Sequence, residues 1–203
     1  MSAEDRFAVV AILAWIGGAV VARTYGLWIG IGPISVVLGA VALARDGAQL
    51  HAQRLPPATR LVFGAAVGAA MTAATYALFP LVVRFAPSSG RQAERLYASF
   101  GSLSPVLAVA LLAPIIIGEE LVWRGIVQRA SVRHAGTVAG VLIAAALYAV
   151  GHAAVGSALL VVVAFGCGLI WSTLRALTGD LIAPLAAHAV WDLWVLVIRP
   201  LAR

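Results

Sequence analysis

The sequence predicts an all-α, polytopic bundle of about seven transmembrane helices, with its motif-bearing helices in the C-terminal half. Three observations carry the fold class. Of the 203 residues, 63% are hydrophobic and only 11% charged, against about 45–50% and about 25% in a soluble domain. Mean hydropathy is +1.01. Apolar runs close to the roughly 20 residues that span a bilayer recur between short arginine-bearing segments. So few charges cannot coat a water-soluble globule, and the chain is too apolar for disorder. No polar stretch reaches the roughly 50 residues of a separate soluble domain. The chain therefore reads as one transmembrane domain, 1–203, with accessory spans in 1–100 and motif-bearing helices in 101–203.

The elements follow in order. Residues 7–22 form a first span, closed by Arg23. This run is longer than a signal-peptide core, lacks a clear small-residue cleavage site, and follows the acidic pair Glu4 and Asp5, so it is expected to be retained. A second span covers 27–44 and ends at Arg45 and Asp46. A polar connector, 45–60, carries Gln49, His51, Gln53 and the Pro56-Pro57 pair. The third span is 61–85, and the polar segment 88–99 after it suits the membrane interface. The fourth starts near Leu103 and runs through Ile117; the fifth, sixth and seventh cover 138–152, 158–174 and 181–198. Small residues repeat at four-residue spacing, as in Gly64 with Gly68 and Gly136 with Gly140, which lets helices approach closely in lipid.

The net charge of +6 comes from arginine alone, because the chain contains no lysine. In a soluble protein such basicity points to nucleic acid. Here the arginines lie mostly between apolar runs, where they anchor loops at the lipid surface, so no nucleic-acid partner is expected. With the N-terminus inside, seven arginines fall on the inner side and six on the outer, too even a split to orient the chain. The single cysteine, Cys167, excludes an intrachain disulfide and a Cys-rich metal site.

Ionisable residues within apolar spans are costly and mark function by default. They occur at Glu119-Glu120 with Arg124, at His152, and at His188 with Asp192; Asp180, in the 178–180 turn, reads as a helix cap. If the fourth helix continues to Arg133 and turns at 134–137, Glu119 lies 14 residues before Arg133 and His152 lies 14 residues after Val138. At a helical rise of about 1.5 Å per residue, both sit about 21 Å from the turn. An antiparallel hairpin thus puts Glu119 and His152 at one depth. His188 and Asp192, four residues apart, share a helix face about 10–18 Å from the 175–180 turn. Glu120 and Arg124 form a favourable i,i+4 pair, so Glu120 reads as structural support. Glu119, about 100° around the helix, has no local partner and suits a general base. Alternatively, adjacent glutamates mark a helix emerging into water, with Arg124, Arg129 and Arg133 as its solvated face.

Glu119-Glu120-xxx-Arg124, then Tyr148-xxx-His152, then His188-xxx-Asp192 resemble, in order, the three motifs of the CPBP family of CAAX-prenyl-protease-like intramembrane proteases, also called Abi proteins. The likeness covers about half the chain. Tyr148 stands where the family usually has Phe, and Asp192 where some members have Asn. The resemblance implies intramembrane hydrolysis of a peptide bond in a membrane-embedded or membrane-anchored protein. Glu119 would activate water with His152, while His188 and Asp192 would steady the water or the oxyanion. It leaves open whether a divalent metal such as zinc is held by His152, His188, Glu119 and Asp192; compact ligand spacing at His188-Asp192 alone favours metal-free chemistry. The small size is similar to bacterial, myxosortase-like members, which points to the bacterial inner membrane and to a C-terminal sorting signal, ahead of a leader or CAAX-like substrate.

Other classes fit less well. The chain has no HExxH zinc motif, no rhomboid-type Gly-x-Ser-Gly and no Gly-x-Gly-Asp at 177–180. Cys167 lies mid-span with no histidine at helical spacing, unlike an activated thiol. A non-enzymatic bacteriocin-immunity or scaffold protein, and a small transporter using the Glu and His residues, remain as alternatives.

Overall fold

The computed structural model describes residues 2–46, 56–100 and 103–202. Most of the expected polar connector, including Gln49, His51 and Gln53, lies outside the described residues. The described chain is helical throughout: α1 (Ala3–Tyr25), α2 (Leu27–Asp46), α3 (Pro57–Phe85), α4 (Ser88–Phe100), α5 (Pro105–Glu120), a π-helical stretch (Leu121–Val127), α6 (Gln128–Ala153), α7 (Ala158–Thr178), and α8 (Ile182–Asp192) ending in a second π-helical stretch (Leu193–Ile198).

Among the described residues, five helical stretches are long and apolar enough to cross a membrane. One of them, Pro105–Ala153, is 49 residues long and reverses at Gly136, whose φ of 76° and ψ of 173° are not helical. A glycine takes this positive φ without the clash a Cβ brings. The reversal falls inside the 134–137 turn expected from the sequence, and its two arms are the expected fourth and fifth spans. The shorter apolar helix Ile182–Ile198 is the seventh. Of the most apolar stretch of α3, only 17% is buried within the bundle, so its remaining apolar surface suits lipid.

Local chemistry sets the ends. Ser2 and Asp5 form a reciprocal capping box at the start of α1, with the Asp5 amide 3.1 Å from Ser2 Oγ and the Ser2 amide 2.8 Å from Asp5 Oδ2. Glu4 and Asp5 also meet Arg129, Arg133 and His134, which ties α1 to the turn of the hairpin. At the 178–180 turn Asp180 does more than cap. Its Oδ1 accepts from the Ile182 amide at 3.1 Å, and its other oxygen pairs with Arg60, itself fully buried.

Two accessory helices grip the helices that carry the polar motifs. α2 crosses α5 where a Cβ on Gly118 would strike the Ser35 carbonyl and one on Gly39 would strike Gly118 Cα. α3 lies along α8, and Cβ atoms on Gly64 and Gly68 would strike the carbonyls of Ala183 and Ala187. Gly118 immediately precedes Glu119, and Ala187 immediately precedes His188. Gly68→Ala should therefore lower stability by about 1–3 kcal/mol, the usual cost of overpacking. Gly166→Ala, whose Cβ would meet nothing within 4 Å, should raise it by about 0.5–1 kcal/mol. Thermal unfolding in detergent checks the opposite signs; a Gly68→Ala protein as stable as wild type would show that the seam is loose.

Candidate active site

The C-terminal end of α5 buries both glutamates, Glu119 at 6% and Glu120 at 0% exposure. The chain then enters the π-helical stretch, where the Gln128 amide reaches back to the Trp123 carbonyl. Such wide turns concentrate at functional sites. This one sits between the glutamates and the rest of the hairpin. The alternative of a solvated Arg face does not hold at Arg124, which is buried at 1% exposure.

Arg124 Nη1 lies 3.2 Å from Glu120 Oε1, as the i,i+4 spacing predicts. Its guanidinium also covers the faces of Tyr148, at 4.4 Å, and Trp171, at 5.0 Å. The same Glu120 oxygen accepts from His188 Nδ1 at 2.8 Å. His188 Nε2 lies 3.4 Å from Asp192 Oδ2, and the His188 ring stacks on Trp171 at 3.8 Å with 18° between planes. A continuous buried chain results: Arg124, Glu120, His188, Asp192. Glu120 is thus more than a partner for Arg124; it joins the hairpin to α8.

Glu119 points elsewhere. Its Oε2 accepts from the Tyr148 hydroxyl at 2.7 Å. His152, one turn further along α6, donates Nδ1–H to the Tyr148 carbonyl at 2.8 Å, because a carbonyl only accepts. In neutral His152 that leaves Nε2 with the lone pair. Trp15 of α1 backs His152, with ring centroids 5.9 Å apart.

Glu119, His152, His188 and Asp192 all line one cavity of about 320 Å³. The equal depth inferred for Glu119 and His152 is met in the sense that both face this space. Most of the remaining wall is apolar, with Ile31, Phe79, Leu112, Val163 and Val195 among its residues; Cys167 is also part of it. α4 closes one side through Ala93, Leu96, Tyr97 and Phe100. It is pinned at three points. Gln92 Oε1 accepts from Ser157 Oγ at 3.2 Å and from the Leu159 amide at 3.0 Å. Trp28 Nε1 donates to the Phe100 carbonyl at 2.6 Å. The Tyr97 hydroxyl donates to the Val195 carbonyl at 2.8 Å and accepts from the Leu201 amide at 3.1 Å. Burial pushes the Tyr97 hydroxyl up to about 12, so it stays protonated as a donor. Sequence reasoning missed Trp171 and the α4 residues, which carry no local signal. It noted Tyr148 only as a motif position, although the i,i+4 spacing to His152 was there to read.

His188 Nδ1 is taken by Glu120 and His152 Nδ1 by the Tyr148 carbonyl, so Nε2 of each neutral ring, with Glu119 and Asp192, is what a divalent metal such as zinc would use. Among the described residues no group of three or more His, Cys, Asp or Glu side chains is arranged to hold a metal ion.

Residues 99–194 match the family model described as Type II CAAX prenyl endopeptidase Rce1-like. A search of curated proteins and a search of solved structures found no match. The matched segment contains Glu119, Glu120, Arg124, Tyr148, His152, His188 and Asp192. Over residues 99–194, just under half of the chain, this helical bundle is thus similar to the Rce1-like, CPBP-type family of CAAX endopeptidases.

Proposed function

We infer that the chain is an intramembrane endopeptidase that uses Glu119 to activate water. The observation carrying this reading is the gathering of Glu119, His152, His188 and Asp192 at the polar part of one largely apolar cavity. Glu119 takes a proton from water as the oxygen attacks the scissile carbonyl carbon, with Nε2 of His152 assisting. The carbonyl oxygen gains negative charge. His188 Nε2–H stabilises it, because the 3.4 Å contact to Asp192 is the looser of its two and the one an oxyanion would replace. Collapse of the tetrahedral centre breaks the C–N bond, and the proton held by Glu119 passes to the leaving amine. Residues 1–100 serve as accessory spans around the catalytic helices of 101–203.

The cavity wall also bears on the substrate. Among the described residues, no arginine lines it, so a carboxylate carried deep inside would be desolvated with no guanidinium to pair it. That favours a peptide bond inside or beside an apolar membrane segment, such as a C-terminal sorting signal in a bacterial inner membrane, over a short CAAX-like tail or a leader.

Comparative terminal proteomics tests this. The native gene is deleted and complemented with wild type or Glu119→Ala. New termini of membrane proteins, flanked by apolar sequence, are expected only with wild type. The same termini and phenotype with both would overturn the protease reading and favour an immunity or scaffold role.

A further inference from the structure

We propose that Tyr148 is a positioning residue for Glu119: its hydroxyl anchors one carboxylate oxygen and so leaves the other to meet water in the cavity. The proposal rests on the reading of Glu119 as the base. A glutamate's terminal torsion is broad and weakly held. Among the described residues, Glu119 takes its one hydrogen bond from Tyr148, at Oε2. That bond divides the two oxygens: Oε2 is engaged and Oε1 is not.

The Tyr148 ring is held without help from its hydroxyl. Trp123 meets it edge-on at 5.3 Å. The Arg124 guanidinium lies 4.4 Å over its face. A Cβ on Gly168 would stand 3.1 Å from the ring, so α7 passes close by on glycine. The His152 ring is 4.3 Å away. The rigid ring presents the hydroxyl at a fixed point, and the carbonyl of the same residue holds His152 Nδ1. One residue thereby sets the orientation of both groups that would handle the water's protons.

The test uses the full chain in lipid vesicles, with a substrate peptide copied from a cleaved terminus. Wild type, Tyr148→Phe, Glu119→Gln and the double variant are compared. Tyr148→Phe should melt within a few degrees of wild type, since the ring contacts remain. Its kcat should fall about tenfold with KM within about twofold, as for a contact that matters in the transition state. In the Glu119→Gln background the second substitution should change nothing further, because the amide that the hydroxyl would then position takes no proton from water. The infrared carboxylate band that is lost in Glu119→Gln should shift in Tyr148→Phe. A Tyr148→Phe enzyme at the wild-type rate, or a double variant slower again by about tenfold, would overturn the positioning role while leaving Glu119 as base. A fully active Glu119→Gln enzyme would overturn both.

Discussion

Glu119→Gln should slow peptide cleavage by about 10²–10⁴-fold, the usual contribution of a positioned general base. Gln keeps the shape of the side chain and can still accept from the Tyr148 hydroxyl, 2.7 Å from Oε2 in the wild type. What it loses is the ability to take a proton from water. The loss should therefore fall on kcat, with KM little changed and the melting temperature near wild type. Mass spectrometry of fragments released by the reconstituted protein measures it. Glu120→Gln is the informative neighbour. Glu120 is fully buried between Arg124 and His188, so its loss of charge should act on stability and on the placement of His188. Equal rates for wild type and Glu119→Gln would remove the carboxylate from the chemistry.

Arg124→Ala should destabilise the fold by about 3–5 kcal/mol, because it leaves a buried carboxylate without its cation. Arg124 and Glu120 are 1% and 0% exposed, so water screens neither. The substitution also empties the space over the faces of Tyr148 and Trp171, adding a lost cation–π contribution. Among the described residues, several Arg124 nitrogens and Glu120 Oε2 have no hydrogen-bond partner, so the pair is imperfectly satisfied. Replacing both residues by apolar ones should then cost less than removing Arg124 alone. The exposed Arg91 is the control, with an expected change within about 0.5 kcal/mol for Arg91→Ala. Thermal or denaturant unfolding in detergent compares the four proteins. An Arg124→Ala protein as stable as the Arg91→Ala control would show that the buried chain of charges does not hold the bundle.

The parts of this fold that sequence made legible are those governed by uniform geometry. Helical rise is the same everywhere, so counting from a turn brought Glu119 and His152 to one depth, and the reversal at Gly136 lies where that counting needs it. The i,i+4 pairs Glu120–Arg124 and His188–Asp192 were readable for the same reason. Contacts between distant helices were not. The bond from His188 to Glu120 spans 68 positions, and no local pattern announces it. The π-helical stretch Leu121–Val127 widens the turn without a proline or an unusual residue to signal it. α4 read as an interfacial segment, and its exposed residues include Arg91, Glu94 and Arg95. Its apolar residues proved to close the cavity, because Tyr97 and Gln92 find partners on α8 and α7 only once the bundle has assembled.

The close crossings of α2 on α5 and of α3 on α8 have a consequence for modularity. Every candidate reacting group lies within 99–194, yet Gly118 rests on Ser35 and Gly39, and Ala183 and Ala187 rest on Gly64 and Gly68. The matched segment is therefore not a portable cassette. Transplanted onto a different pair of leading helices, it would keep its motifs and lose the two abutments that hold Glu119 and His188 in register. Bulky residues at those abutments would push α5 off α2 or α8 off α3, and an intact motif would then sit on helices without their backing.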